Sequence, residues 1–107
     1  MKRYILFYIV LAVSNFSLLA FPALTERADS LYMRNEYHSA IKAYEESIRD
    51  FGASSEIYYN LGNAYYKSEN LGKAILNYER AIKLDAGNED AIHNLTFVNT
   101  KIFDKLP

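Results

Sequence analysis

The sequence predicts an all-α protein: a solenoid of helix–turn–helix units with about two and a half repeats, preceded by a signal peptide. Three observations predict this class. A 34-residue period runs through the chain without a gap, and apolar residues within each period have helical spacing. The composition is rich in Tyr and poor in Gly and Pro, with 10 Tyr, 4 Gly and 2 Pro among 107 residues. Such a composition favours amphipathic helices over a turn-rich β fold.

The period is visible when the sequence is shifted by 34 positions and compared with itself. A fixed period of this length is typical of stacked repeats. Within one period, the apolar residues of 74–82 recur at the intervals that place them on one face of a helix. The matching pairs are Tyr32 with Tyr66, Ala40 with Ala74, Ile41 with Ile75, Tyr44 with Tyr78, Glu45 with Glu79, Ile48 with Ile82, Asn60 with Asn94 and Leu61 with Leu95.

Helix start and stop signals divide the chain into elements. Gly52 ends a helix, and Ser54 or Ser55 caps the next one, which has Glu56 in its first turn. The polar residues after Tyr66 form a short turn, and Asn88 caps the last helix after a Gly stop. The predicted helices are 22–34, 37–51, 55–68, 71–84 and 89–104. They give repeats at about 21–54 and 55–88 and a capping helix at 89–104.

The first 20 residues predict export. Two basic residues precede an uncharged apolar run over 4–13, and Ala20 is a candidate for the last residue before cleavage. This is the pattern of a secretory signal peptide over 1–20. An uncleaved anchor is the alternative, because Tyr4–Leu24 is long enough to span a bilayer. In both cases the basic end stays in the cytoplasm, so the domain at 21–107 is predicted to lie outside it.

Composition and motifs argue against several function classes. The formal net charge of −1 and the sequence pI of about 6.1 do not suggest a nucleic-acid partner. There is no Cys for thiol catalysis or thiolate zinc sites. His38 and His93 stand in no metal-ligand spacing, and the four Gly are isolated rather than forming a phosphate loop. The sequence therefore predicts no enzyme, no metal site and no cofactor.

The second repeat resembles the tetratricopeptide repeat family. The family pattern asks for an aromatic, Leu-Gly and Tyr in the first helix of a repeat, then Ala, an aromatic and Ala in the second, followed by Pro. Ala86 stands where Pro is usual. Gly62 and Ala74 would lie where the two helices cross closely, and the Tyr rings would fill the wider gaps. The matching residues are Tyr58, Leu61, Gly62, Tyr65, Ala74, Tyr78 and Ala81.

The resemblance also implies a peptide-binding groove on the concave face, lined by the first helix of each repeat. Asn amides can bond the backbone of an extended peptide, and Tyr rings offer flat apolar contact. Thr25 and Asp29 stand where a clamp for two carboxylates needs Lys, which disfavours capture of a C-terminal acidic peptide. The implied groove residues are Tyr59, Asn60, Asn63, Tyr66 and Lys67, with Thr25, Asp29, Tyr32 and Met33 before them and His93, Phe97 and Lys101 after them.

A narrower resemblance concerns residues 28–32, which follow the signal peptide directly, and 74–81. They are similar to the N-terminal part of the tetratricopeptide protein of the Bacteroides aerotolerance operon. This resemblance implies an exported scaffold for protein partners at the periplasmic side of the inner membrane, associated with oxidative-stress survival. The alternative is a membrane-tethered module that self-associates through the last helix. Its end face would contain Ile92, Leu95, Val98, Asn99, Ile102 and Phe103.

Overall fold

Five helices and no strand make up residues 22–107, the part of the chain that the computed structural model describes. The predicted signal peptide over 1–20, and the uncleaved anchor as its alternative, lie outside the described residues. Every predicted helix end among the described residues lies within one residue of the observed one, and the all-α prediction is confirmed. The helices are α1 (22–33), α2 (Tyr37–Phe51), α3 (Ser55–Lys67), α4 (Leu71–Leu84) and α5 (Glu89–Lys105).

Polar side chains cap the starts of three helices. Ser54, Asn70 and Asn88 each accept a hydrogen bond from the backbone N–H three residues later, which satisfies a donor that the helix itself leaves unpaired. Ser55 has a different role, because its hydroxyl donates to the carbonyl of Ala81 at 2.8 Å. Asn88 in turn donates from Nδ2 to the Ser55 hydroxyl at 2.9 Å. These bonds join the starts of α3 and α5 to the end of α4.

The turn inside each hairpin has the same backbone geometry in both repeats. Asn35 and Glu69, which are 34 positions apart, have φ of 62° and 65°. In each turn this residue donates its N–H to the carbonyl three residues back, and the next residue donates to the carbonyl five residues back. Asn tolerates the left-handed region better than Glu does. The 34-residue period is therefore found in the backbone conformation of the turns as well as in the side chains.

α3 is the central helix of the stack. It packs against α2 and α4, and α5 packs mainly against α4. Tyr58, one of the Tyr rings predicted to fill the gaps between helices, is only half-buried, and the Cζ of Arg80 lies 5.8 Å from its ring centroid. The reason is that Tyr58 lies on the side of α3 that faces the gap between α2 and α4. The other predicted repeat positions are buried, namely Leu61, Gly62, Tyr65, Ala74, Tyr78 and Ala81.

One hydrogen bond recurs in both hairpins and fixes their two helices together. The Tyr78 hydroxyl donates to Oδ1 of Asn63, and the Tyr44 hydroxyl donates to the Asp29 carboxylate. Donor and acceptor are each shifted by 34 positions. Both rings are almost fully buried, and this burial raises the pKa of each hydroxyl above its usual 10.0. Asp29 and Asn63 are therefore already engaged inside their hairpins.

Candidate functional site

A groove runs along the side of the stack to which α1, α3 and α5 contribute. It contains a cavity of about 230 Å³, and we call it the α1–α3–α5 groove. Five of the twelve residues in the predicted binding groove line it, although they come from three helices that are distant in sequence. The lining residues are Tyr32, Asn63, Tyr66, Lys67, Tyr78, Asn94, Phe97 and Val98.

Two Asn side chains form the polar centre of this groove. Oδ1 of Asn63 accepts from the Tyr78 hydroxyl and also from Nδ2 of Asn94, at 2.9 Å. Nδ2 of Asn94 lies 3.4 Å from the hydroxyl of Tyr59, to which it donates a long hydrogen bond. The expectation that Asn63 offers both amide atoms to a peptide is thus corrected, because its oxygen is already shared by two donors. Its Nδ2 has no hydrogen-bond partner among residues 22–107.

Two aromatic rings and a lysine form one end of the groove. The rings of Tyr66 and Phe97 meet edge to face, with centroids 6.0 Å apart. Nζ of Lys101 donates to the Tyr66 hydroxyl at 2.7 Å and lies 5.1 Å from both ring centroids. Cations are attracted to aromatic faces at such distances. The same end continues into a second cavity of about 440 Å³, whose lining includes Lys67 and Lys105 as well as Lys101.

α1 contributes less to the groove than the sequence predicts. Tyr32 lines it, and its ring lies edge to face against Tyr37 with a centroid distance of 5.4 Å. Burial raises the pKa of the Tyr32 hydroxyl, so it stays a neutral donor. The carboxylate of Asp29 is bonded to Tyr44, and Met33 is 78% exposed. Neither of these last two side chains lines the groove.

Three further predicted residues lie elsewhere. Asn60 and Tyr59 line a separate cavity of about 330 Å³ beside Ser55 and Asn88. Tyr59 nevertheless contacts groove residues, since its ring centroid is 6.1 Å from that of Tyr78 and its hydroxyl accepts the long hydrogen bond from Asn94. His93 is exposed on α5 and is not among the lining residues.

Asn94 lines the groove but is not among the predicted groove residues, although the sequence contains a signal for it. Asn94 is the 34-residue match of Asn60, and it shares one helical stripe with Phe97, Val98 and Lys101. The predicted stripe ran through His93 instead, one residue earlier on α5. Both stripes contain Phe97, which lines the groove, and Lys101, which contacts Tyr66 at its end.

The groove offers binding groups rather than reactive ones. Its rings, amides and ammonium groups can hold a ligand, but they contain no nucleophile with a neighbouring base. Among residues 22–107, no three His, Asp or Glu side chains are grouped as a metal ion would require. In the same part of the chain, every helix is too short or too polar to cross a bilayer.

Comparisons with known proteins agree on the fold. A family model described as tetratricopeptide repeat matches residues 25–89. The second such domain of Spaghetti (RPAP3), solved bound to the HSP90 peptide SRMEEVD, is 23% identical with a TM-score of 0.74, and the match covers 78% of each chain. The OM64 domain of Arabidopsis is 19% identical with a TM-score of 0.76, over 82% of this chain and 73% of that one. No curated protein matches the sequence significantly.

Proposed function

Because the chain belongs to the tetratricopeptide repeat family, we propose that it is a scaffold whose α1–α3–α5 groove binds an extended segment of a protein partner. Proteins of this family are generally non-catalytic interaction modules. The observation that carries the proposal is that Tyr32, Tyr66 and Phe97, from three separate helices, line one groove. Rigid aromatic side chains dominate the binding energy of many protein interfaces. The peptide bound to the similar domain of Spaghetti supports a peptide segment as the class of ligand.

The charges at one end of the groove favour an acidic residue in the segment. The cavity at this end is lined by Lys67, Lys101 and Lys105 and by one carboxylate, that of Glu69. An acidic residue of the segment would therefore lie beside Lys101. Thr25 and Asp29 replace the Lys that a two-carboxylate clamp needs, so the ligand need not end in a free carboxylate. With Oδ1 of Asn63 already occupied, binding relies on the Tyr66–Phe97 pair and on Lys101.

We further propose that the scaffold works in the bacterial cell envelope, either in the periplasm or at the periplasmic face of the inner membrane. The support is the basic and then apolar sequence over 1–20. A role in an aerotolerance or oxidative-stress complex has narrower support, since it depends on the resemblance of 28–32 and 74–81 alone.

A second candidate function is self-association through the end of α5. Phe103 is 74% exposed and Leu106 63% exposed, and such residues favour contact with a like copy. Val98, however, is 1% exposed, and Leu95 and Ile102 pack partly against the core. Since half of the predicted end face is used to attach α5 to the stack, the groove is the better supported site.

A capture experiment tests the groove. The whole chain, as bait in envelope extract, is compared with a variant carrying Phe97→Ala and Lys101→Gln. Both side chains are exposed, and Phe97 is 49% exposed, so the fold is expected to persist. We expect capture of the partner to fall more than tenfold, which is about 1.4 kcal/mol or more.

Phe103→Ala is the matched control, because it removes a more exposed ring from the same helix outside the groove. It should leave capture unchanged. If the Phe97/Lys101 variant is folded and retrieves the same proteins as the parent, the groove is not the binding site. If Phe103→Ala alone lowers both capture and the mass seen by size-exclusion chromatography, self-association becomes the better account.

A further inference from the structure

A second cleft lies on the other side of α3, between α2 and α4. It encloses a cavity of about 340 Å³, and we call it the α2–α4 cleft. Residues spaced three or four apart on each helix form its walls, so each helix turns one stripe toward it. None of its lining residues lines the α1–α3–α5 groove. The lining residues are Glu45, Ile48, Arg49, Tyr58, Leu61, Tyr65, Lys73, Leu76, Asn77 and Arg80.

The rim of this cleft is cationic. Arg49, Lys73 and Arg80 are exposed, and Glu45 is the acidic residue that lines the cleft with them. Nε of Arg49 also lies 3.6 Å from Oδ1 of Asp50, in an exposed ion pair. The Glu45 carboxylate already accepts a hydrogen bond from the Tyr65 hydroxyl, which holds it next to that hydroxyl. Two cations lie over aromatic faces at the rim, with Nζ of Lys73 5.4 Å from the Tyr65 centroid and Cζ of Arg80 5.8 Å from the Tyr58 centroid. An excess of positive charge therefore surrounds an aromatic floor.

Asn77 contributes a buried side-chain amide to the lining of the cleft. Its side chain is only 2% exposed; Nδ2 donates to the Lys73 carbonyl at 2.8 Å, but Oδ1 has no hydrogen-bond partner among the described residues. A buried acceptor without a donor destabilises the fold. The corresponding residue of the first repeat is Ala43, which is buried and carries no such cost. Lys73 and Arg80, which are exposed residues of the same helix, line the cleft together with Asn77.

We propose that the α2–α4 cleft binds an acidic peptide segment of a partner protein. A carboxylate of the segment lies between Arg49 and Arg80, where an Arg guanidinium can bond it through two N–H groups. A backbone N–H of the segment donates to Oδ1 of Asn77, which supplies the missing partner. An apolar side chain of the segment packs on Tyr58 and Leu76. Peptide is the class of ligand that offers a donor N–H, a carboxylate and an apolar side chain within a few ångströms.

This second site would let the chain hold two segments at once, one on each face of α3. A scaffold with two independent sites brings its ligands to a high local concentration. The two sites share no lining residue, so each can be removed without the other.

A direct binding measurement tests the proposal. The chain contains no Trp, so the fluorescence anisotropy of an end-blocked peptide, Trp-Gly-Leu-Glu-Glu-Leu, reports on the peptide alone. We expect saturable binding to the whole chain and none by the peptide with Gln in place of both Glu. Arg80→Gln and Asn77→Ala should each raise the Kd about tenfold. Asn77→Ala should remain folded, as Ala43 is accommodated at the equivalent position.

Two controls separate this site from general charge and from the groove. Lys42→Gln removes an exposed positive charge from α2 outside the cleft and should change the Kd less than twofold. The Phe97→Ala/Lys101→Gln variant should also bind the probe normally, even if it loses its envelope partner. The proposal is overturned if the parent does not bind the acidic probe, or if Arg80→Gln binds as tightly as the parent. Loss of binding in the Phe97/Lys101 variant alone would place the probe in the groove and would also overturn it.

Discussion

Gly62→Ala is the smallest change that tests how the two helices of the second hairpin meet. A Cβ at position 62 would lie 2.7 Å from both Cδ1 and Cε1 of Tyr78 and 3.2 Å from its Cζ. Carbon atoms pack at about 3.5–4.0 Å, so the ring would have to retreat by roughly 0.8 Å or more. The ring cannot move away freely, since Tyr78 is 1% exposed and its hydroxyl is hydrogen-bonded to Asn63. Either the helices separate or this bond breaks.

The expected loss follows from three contributions. Overpacking a core costs about 1–3 kcal/mol, and loss of the Tyr78–Asn63 bond adds about 1 kcal/mol. The higher helix propensity of Ala offsets about 1 kcal/mol of this loss of stability. The net effect is a fall of about 2 kcal/mol in the free energy of unfolding. For a domain of this size, that lowers the thermal midpoint by about 8–15 °C.

Gly72→Ala is the matched control, because a Cβ at position 72 meets nothing within 4 Å and the residue also lies in a helix. It should raise stability by up to about 1 kcal/mol through propensity alone. Urea and thermal unfolding followed by circular dichroism measure both variants. If Gly62→Ala is as stable as Gly72→Ala, the helices do not cross at Gly62 and the packing argument is wrong.

Two further predictions concern the same core. Ala74→Leu, at a position with 0% exposure, should lower the free energy of unfolding by about 1–3 kcal/mol, whereas Ala86→Leu at an exposed site should not; equal urea midpoints would contradict this. Burial and the Glu45 carboxylate raise the pKa of Tyr65 to about 12 from 10.0, so its contribution to stability is complete below pH 10 and is lost as the pH rises toward 12. Urea midpoints between pH 9 and 12 should fall less steeply in Tyr65→Phe, and an unchanged slope would refute the role of this hydroxyl.

The helices were predictable because their signals are local. Caps such as Ser54 and Asn88 act within three residues of themselves, and the 34-residue period repeats the rest. The groove residues were harder to predict, because they depend on how α5 is rotated about its own axis. Ala91 and Val98, both buried, set that rotation by packing against the stack. They turn Asn94 into the groove and leave His93 outside it, a difference of one residue that apolar spacing alone does not decide.

The sequence also does not show which polar groups are consumed within the fold. Asp29 and Asn63 carry the right chemistry for a ligand, and both lie on helices of the binding side. Each is nevertheless the acceptor for a Tyr of its own hairpin. This pairing joins residues 15 positions apart on two different helices, so it follows from the crossing of those helices and not from the stripe on either one.

The two faces of α3 therefore differ in how their amides are used. On the groove side, Oδ1 of Asn63 is shared by Asn94 and Tyr78, which leaves rings, lysines and the Asn63 N–H group to bind. On the cleft side, Asn77 keeps an acceptor unpaired within the described residues. A substitution at Asn63 therefore confounds binding with stability, since it also removes the partner of a buried hydroxyl. Phe97, Asn77 and Arg80 can be changed without breaking a hydrogen bond between helices of the stack, and a change at Lys101 removes only its exposed bond to the Tyr66 hydroxyl.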